Sequence, residues 1–205
     1  MDSRRLCAAL FLLASAALSA LATETAAPPV PAPPSAPRVA LDTSLGRIVF
    51  ELYRDKAPRT VANFLAYVRD GHYNGTVFHR VVPELLVQGG AFTPDLQQKP
   101  ERAPIPNEAN NGLSNLRGSL VAARRPGDSD SATAQFFINL ADNRQFDPHD
   151  DRSPQGKGYC VFGRVIEGMD VAERIGRTPT AARAPFAADV PTTAVLIERA
   201  QILQE

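Results

Sequence analysis

Phe78-His79-Arg80-Val81-Val82-Pro83, followed by Leu86-Val87-Gln88-Gly89-Gly90, is the stretch on which the fold turns. Two short apolar runs, parted by a proline and closed by paired glycines, are expected to form neighbouring short strands. Successive side chains of a strand point to opposite faces, which predicts His79 and Arg80 on opposite sides. By itself His79 has the character of a buried, hydrogen-bonded packing residue, and an arginine in a strand is ordinarily a solvated charge. Two further runs share this character: Ser131-Ala132-Thr133-Ala134-Gln135-Phe136-Phe137-Ile138-Asn139, and Val161-Phe162-Gly163-Arg164-Val165.

Outward from these, Arg38 to Thr43 and Arg47 to Leu52 are expected strands around Ser44-Leu45-Gly46. Ile48, Phe50 and Leu52 alternate with Arg47, Val49 and Glu51, the period of a half-buried strand. A helix follows. Pro58 suits its first position, Val61, Phe64, Leu65 and Val68 form one apolar stripe, and Gly71 is a good stop. Short runs then recur at Val77 to Val82, Leu85 to Gln88, Ser119 to Ala123, Gln135 to Leu140 and Tyr159 to Ile166. Met169 to Ile175, closed by Gly176, is a second helix. Val190 to Leu203 ends the chain, most strand-like at Ala194 to Ile197. Many short strands, irregular loops and two helices predict a mainly β domain, either an antiparallel barrel or a sandwich. Asp147 to Lys157 is polar and expected as an exposed loop. Its Asp and His residues lack the spaced partners of a metal site.

The start of the chain has a different composition. Arg4 and Arg5 precede an uncharged run from Leu6 to Ala22 that ends in Ala20-Leu21-Ala22, the pattern of an export signal. Residues 1–22 are therefore expected to be a signal peptide cleaved after Ala22, leaving no stable membrane insertion. Seventeen largely alanine-rich residues are short for ~30 Å of hydrocarbon. Six of the 18 prolines fall between Pro28 and Pro37, so residues 23–37 are expected to be an extended linker. The folded domain is residues 38–205. With Cys7 removed, Cys160 is the lone cysteine, expected as a small buried apolar residue. Lys plus Arg and Asp plus Glu both number 22, and the residues before 38 cancel, so the domain is neutral too. A general nucleic-acid binder, which needs surplus cations to displace counterions, is not expected.

No nucleophile elbow, zinc-protease motif or phosphate-binding glycine loop occurs. The FHR, QGG, QFF and VFG segments, in that order, together with Asn107-Glu108-Ala109, Asn110-Asn111-Gly112-Leu113 and Arg117-Gly118, resemble the cyclophilin family of peptidyl-prolyl cis-trans isomerases. The resemblance runs from Val39 to about Leu203. Its flavour is that of exported, periplasmic bacterial members, through the Ser-Ala-Thr run before QFF and Tyr159 where many eukaryotic members carry His. It implies a closed eight-stranded antiparallel β-barrel capped by two α-helices, acting without metal or cofactor on X-Pro bonds in unfolded or loop segments of client proteins. By position it implies that Arg80 is the catalytic arginine and that Gln88 contacts the substrate backbone. Leu86, Phe137, Phe146 and Tyr159 would wall the proline pocket, and Leu85 would border the groove. Ala123, Arg124 and Gln135 would line the groove ahead of the proline, Arg124 mainly through its backbone. A monomer is expected.

The sequence also departs from the family. Glu84-Leu85-Leu86 stands where many members have Gly-Phe-Met, and Gln145 where many eukaryotic members have a Trp that helps bind cyclosporin. Weak cyclosporin binding is therefore expected. These departures motivate an alternative, a proline-peptide-binding holdase with weak or no isomerase activity. The loop from Asp147 to Lys157 is longer than in compact members and would reshape one rim of the groove.

Overall fold

The computed structural model describes residues 36–150 and 152–205. The expected signal segment 1–22, and the linker as far as residue 35, lie outside the described residues. In chain order the elements are β1 (Arg38–Thr43), β2 (Gly46–Leu52), α1 (Pro58–Arg69), β3 (Thr76–Val82), β4 (Leu86–Gly89), β5 (Ser119–Ala122), β6 (Phe136–Asn139), β7 (Val161–Glu167), α2 (Met169–Gly176), β8 (Thr180–Arg183), β9 (Phe186–Pro191) and β10 (Leu196–Gln204). Eight strands close an antiparallel barrel in the order β1-β10-β3-β4-β6-β5-β7-β2, while β8 and β9 pair only with each other. Closure decides between the barrel and the sandwich.

Alternation sorts the side chains of each strand. In β6, Phe136 points into the barrel and meets Phe50, Phe64, Tyr73 and Phe78, with ring centroids 5.5–6.3 Å apart. The next residue, Phe137, points outward to Phe146 and Tyr159. The α1 stripe of Val61, Phe64, Leu65 and Val68 is buried against the barrel core, and α2 buries Val171, Ala172 and Ile175. Two glycine motifs have steric reasons. Gly90 takes φ +100, and a Cβ there would lie 2.9 Å from the Tyr73 ring. A Cβ on Gly163 would lie 2.6 Å from the Glu51 carbonyl oxygen across the β2–β7 pair.

The structure corrects several expected boundaries. β10 runs through Leu196–Gln204 rather than centring on Ala194 to Ile197. Its pairing with β1 shifts register at two points, and that breaks the period-two pattern. The β8–β9 hairpin was not foreseen. It is Ala-rich and largely exposed, so it has no alternation to reveal it. A short 3₁₀ turn at Arg144–Phe146 was also unforeseen.

The start of α1 is capped from a distance. Ala57, at the N-cap, has no side-chain oxygen to offer. Instead the Glu108 carboxylate accepts the Arg59 and Thr60 backbone N–H groups, at 3.1 and 2.8 Å, and the Thr60 hydroxyl at 2.7 Å. Orphan N–H groups at a helix start attract a carboxylate both by hydrogen bonding and through the helix dipole. This gives the Asn107-Glu108-Ala109 motif a structural purpose. Glu108→Ala is expected to lower stability by about 2 kcal/mol, measured as a reduced urea midpoint with an unchanged slope.

Candidate active site

β3 carries a bulge. Phe78 pairs with Gly89 and Arg80 with Gln88, leaving His79 as an extra residue between them. Phe78 and Val81 both face the barrel core. His79 and Arg80 therefore both emerge on the outer side, where they line the same groove. The expectation of opposite faces is corrected, because a bulge sets two residues against one and breaks the alternation.

The groove holds about 720 Å³. Arg80, Gln88, Leu85, Leu86, Ala123, Arg124, Gln135, Phe137, Phe146 and Tyr159 all line it, although they come from widely separated parts of the chain. Its apolar end is an outer cluster distinct from the barrel core. Leu86, Val121, Ala123, Phe137 and Val161 are buried there, and Leu85, Phe146 and Tyr159 pack over them. The rings of Phe137, Phe146 and Tyr159 stand edge-to-face at 5.4–5.9 Å, forming a three-sided wall. The Gln88 side-chain N–H donates to Gln135 Oε1 at 3.0 Å, so the two amides are oriented together.

Phe146 is held from behind. The Tyr159 N–H donates to its carbonyl at 2.9 Å. The neighbouring Asp147 carboxylate accepts the Ser114 hydroxyl, and the Asn115 backbone and side-chain N–H groups at 2.7 and 3.0 Å. Burial pushes this carboxyl upward, but the three hydrogen bonds outweigh it and hold Asp147 below the usual carboxylate range. Asp147 is thus a structural anchor at the base of its loop.

The Arg124 side chain is engaged within the fold. Its guanidinium donates to the Pro154 and Gly158 carbonyls at 2.8 and 3.2 Å and lies 4.2 Å from the Tyr159 ring centroid. Cation–π contact and carbonyl acceptors together tie the polar loop to the groove wall. With the side chain engaged in this way, the backbone of Arg124 is the part left to face the groove.

His79 is buried, packed 4.6 Å from the Phe92 ring and 5.4 Å from the Phe186 ring. Its Nδ1 has no hydrogen-bond partner, so the expected packing role comes without the expected hydrogen bond at that atom. Burial, with a smaller contribution from the adjacent Arg80 charge, lowers its pKa to about 4. Cys160 is buried, and its thiol is pushed up to about 12 by that burial, which leaves it an inert core residue. Phe92, Phe186 and Asp189 were not foreseen at the site. Phe186 and Asp189 belong to the hairpin without alternation, and Asp189 takes a left-handed φ of 66.

The family model described as cyclophilin type peptidyl-prolyl cis-trans isomerase/CLD matches residues 38–202, all of the barrel but the last two residues of β10, and both helices. The chain is a cyclophilin-type peptidyl-prolyl cis-trans isomerase. Peptidyl-prolyl cis-trans isomerase cyp18 of Streptomyces antibioticus is 55% identical over 165 residues, spanning 80% of this chain and 98% of that one. Peptidyl-prolyl cis-trans isomerase A of Dickeya dadantii is 45% identical, spanning 93% of this cyclophilin and 97% of its relative. A crystal structure of a Cryptosporidium parvum cyclophilin type isomerase superposes with a TM-score of 0.69 at 23% identity, over 83% of this chain and 99% of that chain.

The buried imidazole of this cyclophilin makes stability depend on pH. The unfolded chain protonates His79 near 6.5 and the folded chain near 4. Between those values the unfolded state holds more protons, so stability falls as pH drops through the window. The loss amounts to at most about 3 kcal/mol. Burial also lowers His72, which acts in the same direction. His79→Phe keeps a ring between Phe92 and Phe186 and removes the titrating nitrogen. Urea midpoints measured from pH 7 to 4 are expected to fall less for this variant than for the wild type.

Proposed function

We propose that this isomerase works by holding the proline ring against Leu86, Phe137, Phe146 and Tyr159 while Arg80 stabilises the twisted amide. The single observation that supports this reading is the placement of Arg80 on the wall of the groove that holds the three-ring apolar pocket. An X-Pro amide prefers trans by only about 0.5–1 kcal/mol, but resonance sets a rotation barrier of ~18–20 kcal/mol. At the twisted geometry the nitrogen lone pair leaves conjugation and becomes a hydrogen-bond acceptor. A guanidinium donor near that nitrogen binds the twisted form better than either planar form, and differential binding of this kind lowers a barrier. A turnover of ~10³ s⁻¹ requires about 7 kcal/mol of stabilisation. Positioning plus a charge-assisted hydrogen bond in a desolvated groove is sufficient for that.

Gln88, oriented by Gln135, is placed to hold the substrate backbone. Ala123, Arg124 and Gln135 border the path of the residues ahead of the proline. The ligands proposed for this chain are X-Pro segments of unfolded or loop regions in client polypeptides. A related Cryptosporidium parvum cyclophilin was crystallised in the presence of the dipeptide Ala-Pro.

The compartment proposed for this activity is outside the cytoplasm. Residues 1–22 would act as a cleaved signal, 23–37 as a spacer, and 38–205 as a monomeric isomerase assisting exported proteins. The Arg4-Arg5 pair, the uncharged run from Leu6 to Ala22 and Ala20-Leu21-Ala22 support the export reading.

Arg80→Ala is expected to lower kcat/KM by about 10²–10³ while leaving binding of an Ala-Pro peptide near the wild-type value. Arg80→Lys should not restore the rate, because a lysine lacks the planar fork. Full activity in Arg80→Ala, measured by a protease-coupled peptide assay, would leave the arginine without the proposed role. No acceleration by the wild type, with peptide binding intact, would favour the holdase alternative. Gln145 carries no indole, and its side chain donates instead to Asn143 Oδ1 at 3.2 Å. Cyclosporin is expected to inhibit weakly, and a sub-micromolar inhibition constant would contradict this.

A further inference from the structure

The groove is bordered by an element that the barrel does not require. The β8–β9 hairpin lies against β3, and Phe186 from β9 joins the groove lining. Two contacts seat it. Phe186 stands edge-to-face with Phe92 at 5.1 Å and beside His79 at 5.4 Å. Val190 is buried with Val77 and Leu96. Asp189 lies next to the second anchor, and its own side chain takes no part in this apolar packing.

Asp189 reaches Arg80 instead. The Arg80 Nε–H donates to Asp189 Oδ2 at 3.4 Å, and both side chains are half-exposed. Among the described residues no other side chain or carbonyl hydrogen-bonds to this guanidinium. The contact occupies Nε and leaves both Nη groups for a substrate. Asp189 also sits at φ 66, a left-handed conformation that costs energy for any residue with a Cβ and is tolerated best by Gly, Asn and Asp. A hairpin needing only that geometry would be served better by glycine. Backbone strain retained beside a working site calls for a functional account, and the carboxylate facing Arg80 supplies one.

We infer that Asp189 is a positioning residue for Arg80. It clamps the guanidinium through Nε, so that the two Nη groups are presented to the amide nitrogen as the bond twists. An arginine side chain on a bulged strand otherwise samples many rotamers, few of which place a donor correctly. The aromatic contact of His79, Phe92 and Phe186 fixes the hairpin, and the hairpin fixes the clamp. The inference rests on the role proposed for Arg80.

The test uses variants compatible with φ 66. Asp189→Gly removes the acceptor and suits the backbone, whereas Asp189→Asn keeps a side-chain oxygen. Exchange rates on an Ala-Pro peptide are measured by NMR for the wild type, both variants, Arg80→Ala and the Asp189→Gly/Arg80→Ala double variant. Asp189→Gly is expected to lower kcat about tenfold with KM nearly unchanged, and Asp189→Asn to recover most of that loss. In the Arg80→Ala background the Asp189→Gly change should have no further effect, because the two residues act as one unit. A wild-type rate for Asp189→Gly, or an equal loss in both backgrounds, would overturn the inference. An active Arg80→Ala enzyme would instead remove the reading on which it depends.

Discussion

Closing eight short strands into a barrel obliges every strand to serve two faces, and the β6 pair Phe136-Phe137 bears the consequence of that constraint. Phe136 fills the barrel, touching rings from β2, β3, α1 and the segment after α1. Phe137, one residue on, can then only face outward, where it joins the apolar wall of the groove. Core and site are built back to back on one strand. Moving the register of β6 by one residue would exchange them and destroy both.

The bulge in β3 is the exception that puts a charge at this pocket. Strict alternation would send Arg80 and its predecessor to opposite faces. The extra residue lets Phe78 and Val81 both remain in the core while His79 and Arg80 share the outer side. One becomes packing for the hairpin, and the other a donor at the groove. On the proposed mechanism, a reaction that breaks no covalent bond needs little more than a shaped apolar wall and a well-placed cation. The absence of nucleophile or phosphate-loop motifs in the sequence fits that requirement.

Much of the architecture was legible. The α1 stripe, the strand positions around FHR, QGG, QFF and VFG, and the buried character of Cys160 follow from periodicity and residue type. Groove residues such as Leu86, Phe137 and Tyr159 were legible only through the family resemblance, because an outward Phe on a strand does not by itself announce a pocket. The hairpin was missed because Ala-rich, solvent-facing strands carry no alternation. The distant cap by Glu108 was missed because a residue nearly fifty positions away leaves no local signature at the start of α1.

The sequence by itself determined most of the barrel strands and both helices, the buried character of Cys160 and the family to which the chain belongs, because these depend on local pattern and on motifs in a given order. Only the tertiary structure decided that His79 and Arg80 share a face, that Arg124 ties down the polar loop, and that Asp189 meets Arg80. Each of these is a contact between segments far apart in the chain or a break in alternation. Such features are set by how strands register against their neighbours, and no local property of the residues encodes that.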